Sequence, residues 1–109
     1  MEPTIEVLYF DSCRSLDALL ARLDRLLAQA GVAADIELRR VESAETAEQE
    51  RFLGSPTLRI NGRDVDSTAA QRIDYGLKCR LYATDDGLHG TPPDAWILDA
   101  LDAREHAQR

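Results

Sequence analysis

The stretch "VLYFDSCRSLDALLARL", residues 7–23, runs an apolar strand pattern into a single cysteine and from there straight into a leucine-striped helix pattern. From Thr4 to Phe10 the residues are mostly apolar and β-favouring, with Ile5, Val7 and Tyr9 on one face and Leu8 and Phe10 on the other. Such a strand is expected to be covered on both sides. Leu16, Leu19, Leu20, Leu23, Leu26 and Leu27 then recur at three- and four-residue spacings, which gathers them on one helical stripe. Asp11 or Ser12 can cap the start of this helix, and Gly31 suits its end.

Cys13 therefore stands at a strand-to-helix junction. Free amides and the positive end of a helix dipole favour a thiolate there, and Arg14 adds to the effect, while Asp11 and Asp17 oppose it by like-charge repulsion. The same placement also suits a small buried apolar side chain, since free cysteine is among the most buried residue types. Placement alone leaves both readings standing.

Working outward, "ADIELRRV" (residues 34–41) alternates as a second strand would, and "SAETAEQERFL" (residues 43–53) reads as a short helix with Ser43 as cap. Strand, helix, strand and helix in succession favour a βαβ unit with parallel strands. "SPTLRI" (residues 55–60) gives a third strand. Asn61 and Gly62 form the preferred two-residue hairpin turn, so a short fourth strand over residues 63–66 should pair antiparallel with the third. Residues 67–77 suit a helical turn or two, and residues 78–90 a small hairpin or loop. "TPPDAWILDALDAREHA" (residues 91–107) predicts a helix with Thr91 as N-cap, Pro92 at its first position and Asp94 in its first turn.

This order, with a cysteine at the first strand-to-helix junction and Gly54, Ser55 and Pro56 ahead of the third strand, resembles the thioredoxin-like family. The stretches "FDSC", "GSPTL" and "CRLY" together resemble a group of small bacterial thioredoxin-like proteins labelled alkylmercury-lyase-related. The resemblance covers about residues 4–70 and, loosely, the C-terminal helix. It implies an α/β domain with a central mixed four-stranded sheet in the order β-α-β-α-β-β-α, flanked by helices, with an extra loop or hairpin before the last helix. It also implies that Cys13 is the nucleophile and that Pro56 is a cis-proline. Ser55 and Thr57, with Ser12 and Arg14, would then meet the substrate.

The chain departs from that family at Leu16, which stands where a C-x-x-C motif has its second cysteine, so the usual resolving thiol is missing. Cys79, between Lys78 and Arg80, is the other thiol, and two flanking cations also favour a thiolate. It too can be an ordinary partly buried residue. Three functions are open: thiol-disulfide chemistry by Cys13 with Cys79 as a distal partner; binding of a soft metal such as mercury, or organomercurial processing, by Cys13 and Cys79 together; and a non-catalytic interaction module. The first implies a thiol or disulfide substrate, small molecule or protein. No cofactor is implied beyond the soft metal ion of the second.

Composition narrows the partners. At 109 residues and 12.1 kDa the chain fits a single domain, 1–109. Its net charge of −7 argues against nucleic acid. The thirteen basic residues, twelve of them arginine, are scattered. There is no signal-peptide pattern and no apolar run long enough for a membrane span, so the expected compartment is the cytoplasm. His89 and His106 lack metal-ligand spacing, "TDDG" (residues 84–87) lacks the ligand series of a calcium loop and reads as a turn, and the acidic run from residue 42 to 50 reads as a solvated helix face. Trp96 suits core or interface.

Overall fold

The computed structural model describes residues 2–11 and 14–107, with side chains described to Asp102; Ser12 and Cys13 lie outside the described residues. The elements run β1 (Ile5–Tyr9), α1 (Ser15–Ala30), β2 (Ile36–Arg40), α2 (Ala44–Gln49), β3 (Thr57–Ile60), β4 (Arg63–Asp64), a 3-10 turn (Ala69–Gln71), β5 (Tyr82–Thr84), β6 (Gly87–His89) and α3 (Asp94–Ala107). The architecture is mixed α/β. Four strands form one sheet in the order β2-β1-β3-β4, and β5 with β6 forms a separate hairpin. β1 and β2 are parallel, whereas β3 runs antiparallel to both β1 and β4.

The alternation in β1 divides the core in two. Ile5 and Val7 join Leu58 and Ile60 under the α1 stripe of Leu19, Leu23, Leu26 and Leu27, with Ile97 and Leu101 of α3 on the same side. Leu8 faces the opposite way, onto Val41, Ala47 and Phe52 around α2, with Phe10 packed against them. Helices therefore cover both faces of the central strand. α1 ends where expected, with Gly31 in the left-handed conformation at φ 67° and Val32 donating its amide to the Leu27 carbonyl at 2.9 Å. The Asn61–Gly62 turn has φ of 54° and 79°, as the hairpin requires.

Four boundaries differ from the sequence expectation, each for a local reason. Asp11 does not cap α1, because its carboxylate pairs with Arg40 of β2; Arg14 occupies the cap position without a side-chain cap bond. α2 stops at Gln49 rather than running to residue 53, because Arg51 turns left-handed at φ 55° and Phe52 donates to the Ala47 carbonyl at 2.8 Å, sending Phe52 and Leu53 into the interior. β4 is only two residues long, since the Asp66 amide turns to the Asp64 carboxylate at 2.9 Å. α3 begins at Asp94, not at Pro92. Pro93 disfavours a helical conformation at the residue before it, and Thr91 and Pro92 are used elsewhere: Arg22 of α1 donates to the Thr91 hydroxyl at 2.8 Å and to the Pro92 carbonyl at 2.5 Å.

Candidate functional site

β1 delivers the chain to the link that precedes α1, and β3 begins beside that end, with Thr57 paired to Leu8. Two residues upstream of Thr57, Ser55 forms an isolated parallel bridge to Cys79. The Ser55 amide donates to the Lys78 carbonyl at 2.8 Å, and the Arg80 amide donates to the Ser55 carbonyl at 3.0 Å. The Ser55–Pro56 peptide bond is cis. Gly54 lets the two segments approach: a Cβ there would lie 2.9 Å from the Cβ of Arg80 and 3.0 Å from its N and Cα. The far end of the hairpin comes back to the same region. A Cβ on Gly90 would fall 2.5 Å from Ser15 Oγ in the first turn of α1.

Burial alternates along the segment that carries Cys79. Cys79, Leu81 and Ala83 are exposed, whereas Arg80 and Tyr82 are buried. The register Ala83↔Leu88 sets exposed Leu88 across from that outer face. Cys79 thus belongs to an outer face bearing Leu81, and the inner face holds the strand down.

The hold is a buried ionic cluster. Arg80 is 1% exposed, and its guanidinium grips both oxygens of Asp64 at 2.6 and 3.0 Å, donates to Thr57 Oγ1 at 3.1 Å and reaches Asp66 at 3.5 Å. It also lies 4.4 Å over the Tyr82 ring, whose hydroxyl donates to the Pro56 carbonyl at 2.6 Å. A fork-shaped guanidinium suits this role because it satisfies several acceptors in fixed geometry. Burial works against the Asp66 carboxylate, but the Thr68 hydroxyl and amide, together with Arg80, hold its pKa below the usual range. Burial pushes the Tyr82 phenol well up, beyond what Arg80 recovers.

The two cations that flank Cys79 are each bonded to carboxylates. Lys78 donates to Asp74 at 2.9 Å, and Arg80 is committed to Asp64 and Asp66 beneath the strand. Bonds from Arg72 and then Lys78 hold the Asp74 carboxyl far below the usual range. Of the other expected site residues, Ser55, Pro56 and Thr57 are buried, and Thr57 donates to the Gly54 carbonyl at 2.7 Å. Arg14 is exposed at the start of α1; Ser12 and Cys13 are outside the described residues. The structure therefore joins Cys79 to Ser55, beside Pro56. The cluster of Asp64, Asp66, Arg80 and Tyr82 was missed in the sequence, where the alternation in "CRLY" was its one signal.

The remaining candidates resolve simply. "TDDG" is the hairpin turn, closed by Thr84, whose hydroxyl donates to the Gly87 carbonyl at 2.8 Å and accepts from the Asp86 amide at 3.1 Å. Trp96 is half-buried and packs edge-on to Tyr82 at 6.2 Å, and exposed His89 shares with it a cleft of about 580 Å³. Within the acidic run, Glu42, Glu45 and Glu48 are exposed, but Glu50 is half-buried against Arg39 and Arg59. Among the described residues no group of three or more His, Cys, Asp or Glu could hold a metal ion, and no helix is long and apolar enough to cross a membrane.

No curated protein and no solved structure matches the chain. One family model does, over residues 10–101, a span that takes in the Ser55–Cys79 bridge, the ionic cluster and most of the elements around them. The chain belongs to that family, described as a domain of unknown function, DUF2703.

Proposed function

We propose that the domain has a thioredoxin-like architecture and acts as a thiol protein, with Cys13 attacking a disulfide and Cys79 resolving the product. The observation that carries this reading is the exposed Cys79, hydrogen-bonded through its neighbours to Ser55 at the end of the sheet where β1 passes the chain into the link containing Cys13. The strand order and the antiparallel third strand support the architecture. Ligand sites of open α/β sheets lie outside the carboxyl ends of their strands, which is this end of β1 and β2.

The chemistry balances as ordinary exchange. The Cys13 thiolate attacks one sulfur of a substrate disulfide, forming a mixed disulfide and releasing the other half as a thiolate. The Cys79 thiolate then attacks Cys13 Sγ, releasing the second substrate thiolate and leaving a Cys13–Cys79 disulfide. The substrate gains two electrons and the protein loses two; a dithiol reductant returns them. Leu16 makes Cys79 the one cysteine available to resolve. Alkylation with iodoacetamide at neutral pH tests the first step: Cys13 should react faster in the folded protein than in the denatured chain, and a rate equal or slower sinks the reading.

A further inference from the structure

On the side of the sheet edge away from β2, a cavity of about 730 Å³ opens between the end of α2 and the segment that follows β4. Its size falls within the range typical of small-molecule sites. Arg51, Arg59 and Arg63 line it together with the apolar side chains of Leu53, Ala69 and Ala70. Three carboxylates line it too, and each is already engaged. Glu50 lies 3.0 Å from Arg39 and 3.9 Å from Arg59. Asp64 and Asp66 are held by Arg80.

Three guanidiniums (Arg51, Arg59 and Arg63) line the cavity with three carboxylates (Glu50, Asp64 and Asp66), and those carboxylates already face Arg39, Arg59 and Arg80. Arg59 is occupied by the Glu50 and Arg51 carbonyls. Among the described residues neither Arg51 nor Arg63 makes an ion pair, and both are exposed.

A second observation points to Arg51. It sits at φ 55° just past the end of α2, a position that glycine or asparagine usually fills. Among the described residues the other non-glycine residue with positive φ is Asn61, in a turn that suits it. The chain thus holds a long cationic side chain at the mouth of a cavity where the backbone would prefer none. Strained positions of this kind collect at ligand sites.

We propose that this cavity binds a small organic oxyanion, a carboxylate or a phosphate on an apolar body, with Arg51 and Arg63 as its charged ligands and Leu53, Ala69 and Ala70 against the apolar part. Planar guanidiniums match either oxyanion in paired hydrogen bonds. The site is independent of both cysteines.

The test is titration of the full chain with phenyl phosphate and, separately, with benzoate, followed by backbone amide shifts in NMR. Saturable shifts at Arg51, Arg63, Ala69 and Ala70 with either probe are expected, and the tighter probe identifies the oxyanion. Arg51→Gly should weaken binding about tenfold, as loss of one charge-assisted bond implies, while leaving the thermal midpoint unchanged or higher because glycine relieves the backbone. Arg63→Ala should weaken it similarly. The proposal is overturned if neither probe saturates in the millimolar range, or if binding survives undiminished in both variants.

Discussion

Replacing Arg80 with methionine keeps an unbranched apolar stem but removes the charge that Asp64 and Asp66 face. Their side chains are only 14% and 8% exposed, so the variant leaves two carboxylates with little water and without their ion-pair partner. Breaking a buried pair in this way costs roughly 3–5 kcal/mol. Asp64 retains some access to solvent, which favours the lower end, about 3 kcal/mol. Against a total stability of about 5–15 kcal/mol for a domain, that is a large share. At about 4–8 °C per kcal/mol for a chain near this length, the thermal midpoint should fall by about 12–24 °C. Urea denaturation followed by Trp96 fluorescence is well placed to read it, since Trp96 packs on Tyr82, the ring under Arg80. Adding Asp64→Leu to Arg80→Met should recover part of the loss by removing a stranded charge. A cost below about 1 kcal/mol, the scale of a surface pair, would refute the view that this cluster holds the Cys79 strand down.

Other consequences are equally direct. Gly54→Ala should cost about 1–3 kcal/mol in urea titrations, because φ of 128° is a glycine conformation and the new methyl meets Arg80 backbone at 3.0 Å; an unchanged midpoint would contradict the close approach. Stability should be lost at both ends of the pH scale. The lowered pKa values of Asp66 and Asp74 give stability that is full above the unfolded value of 3.8 and lost as pH falls below it, whereas the raised Tyr82 pKa gives stability that is full below 10.0 and lost as pH climbs above it. Thermal melts across pH check this, and Asp66→Asn should shrink the acid limb; an unaltered acid limb would remove Asp66 from the account. Arg22→Ala should release the start of α3, which Arg22 ties down through Thr91, Pro92 and Asp94, and hydrogen exchange should then speed at Trp96 and Ile97 more than in β1. Uniform acceleration would argue against a local tether.

What the sequence disclosed follows the range of its signals. β1, α1 and the Asn61–Gly62 hairpin were legible because period-2 and leucine-stripe patterns and a positive-φ turn are local and strong. The shortened α2 was not legible, since its stop depends on Arg51 accepting a left-handed conformation while Arg59, from β3, satisfies carbonyls at the helix end. The start of α3 was misjudged because Arg22, some seventy residues away, takes the groups that would have capped it. At the site, Pro56 and Cys79 were both visible as candidates. Their adjacency was not, because it rests on a bridge between residues 55 and 79 and on Arg80 reaching Asp64, contacts that no spacing rule encodes. The sequence shows Arg80 only as a cation beside a thiol. The alternation of "CRLY" would have placed it on the opposite face.

The most direct test of the thiol reading is the intact mass of the purified monomer after one equivalent of a mild thiol oxidant, with peptide mapping of any new bond. The account predicts a single intramolecular disulfide joining Cys13 to Cys79, reversed by a dithiol. Separate oxidant adducts on the two cysteines, with no bond between them, would contradict it.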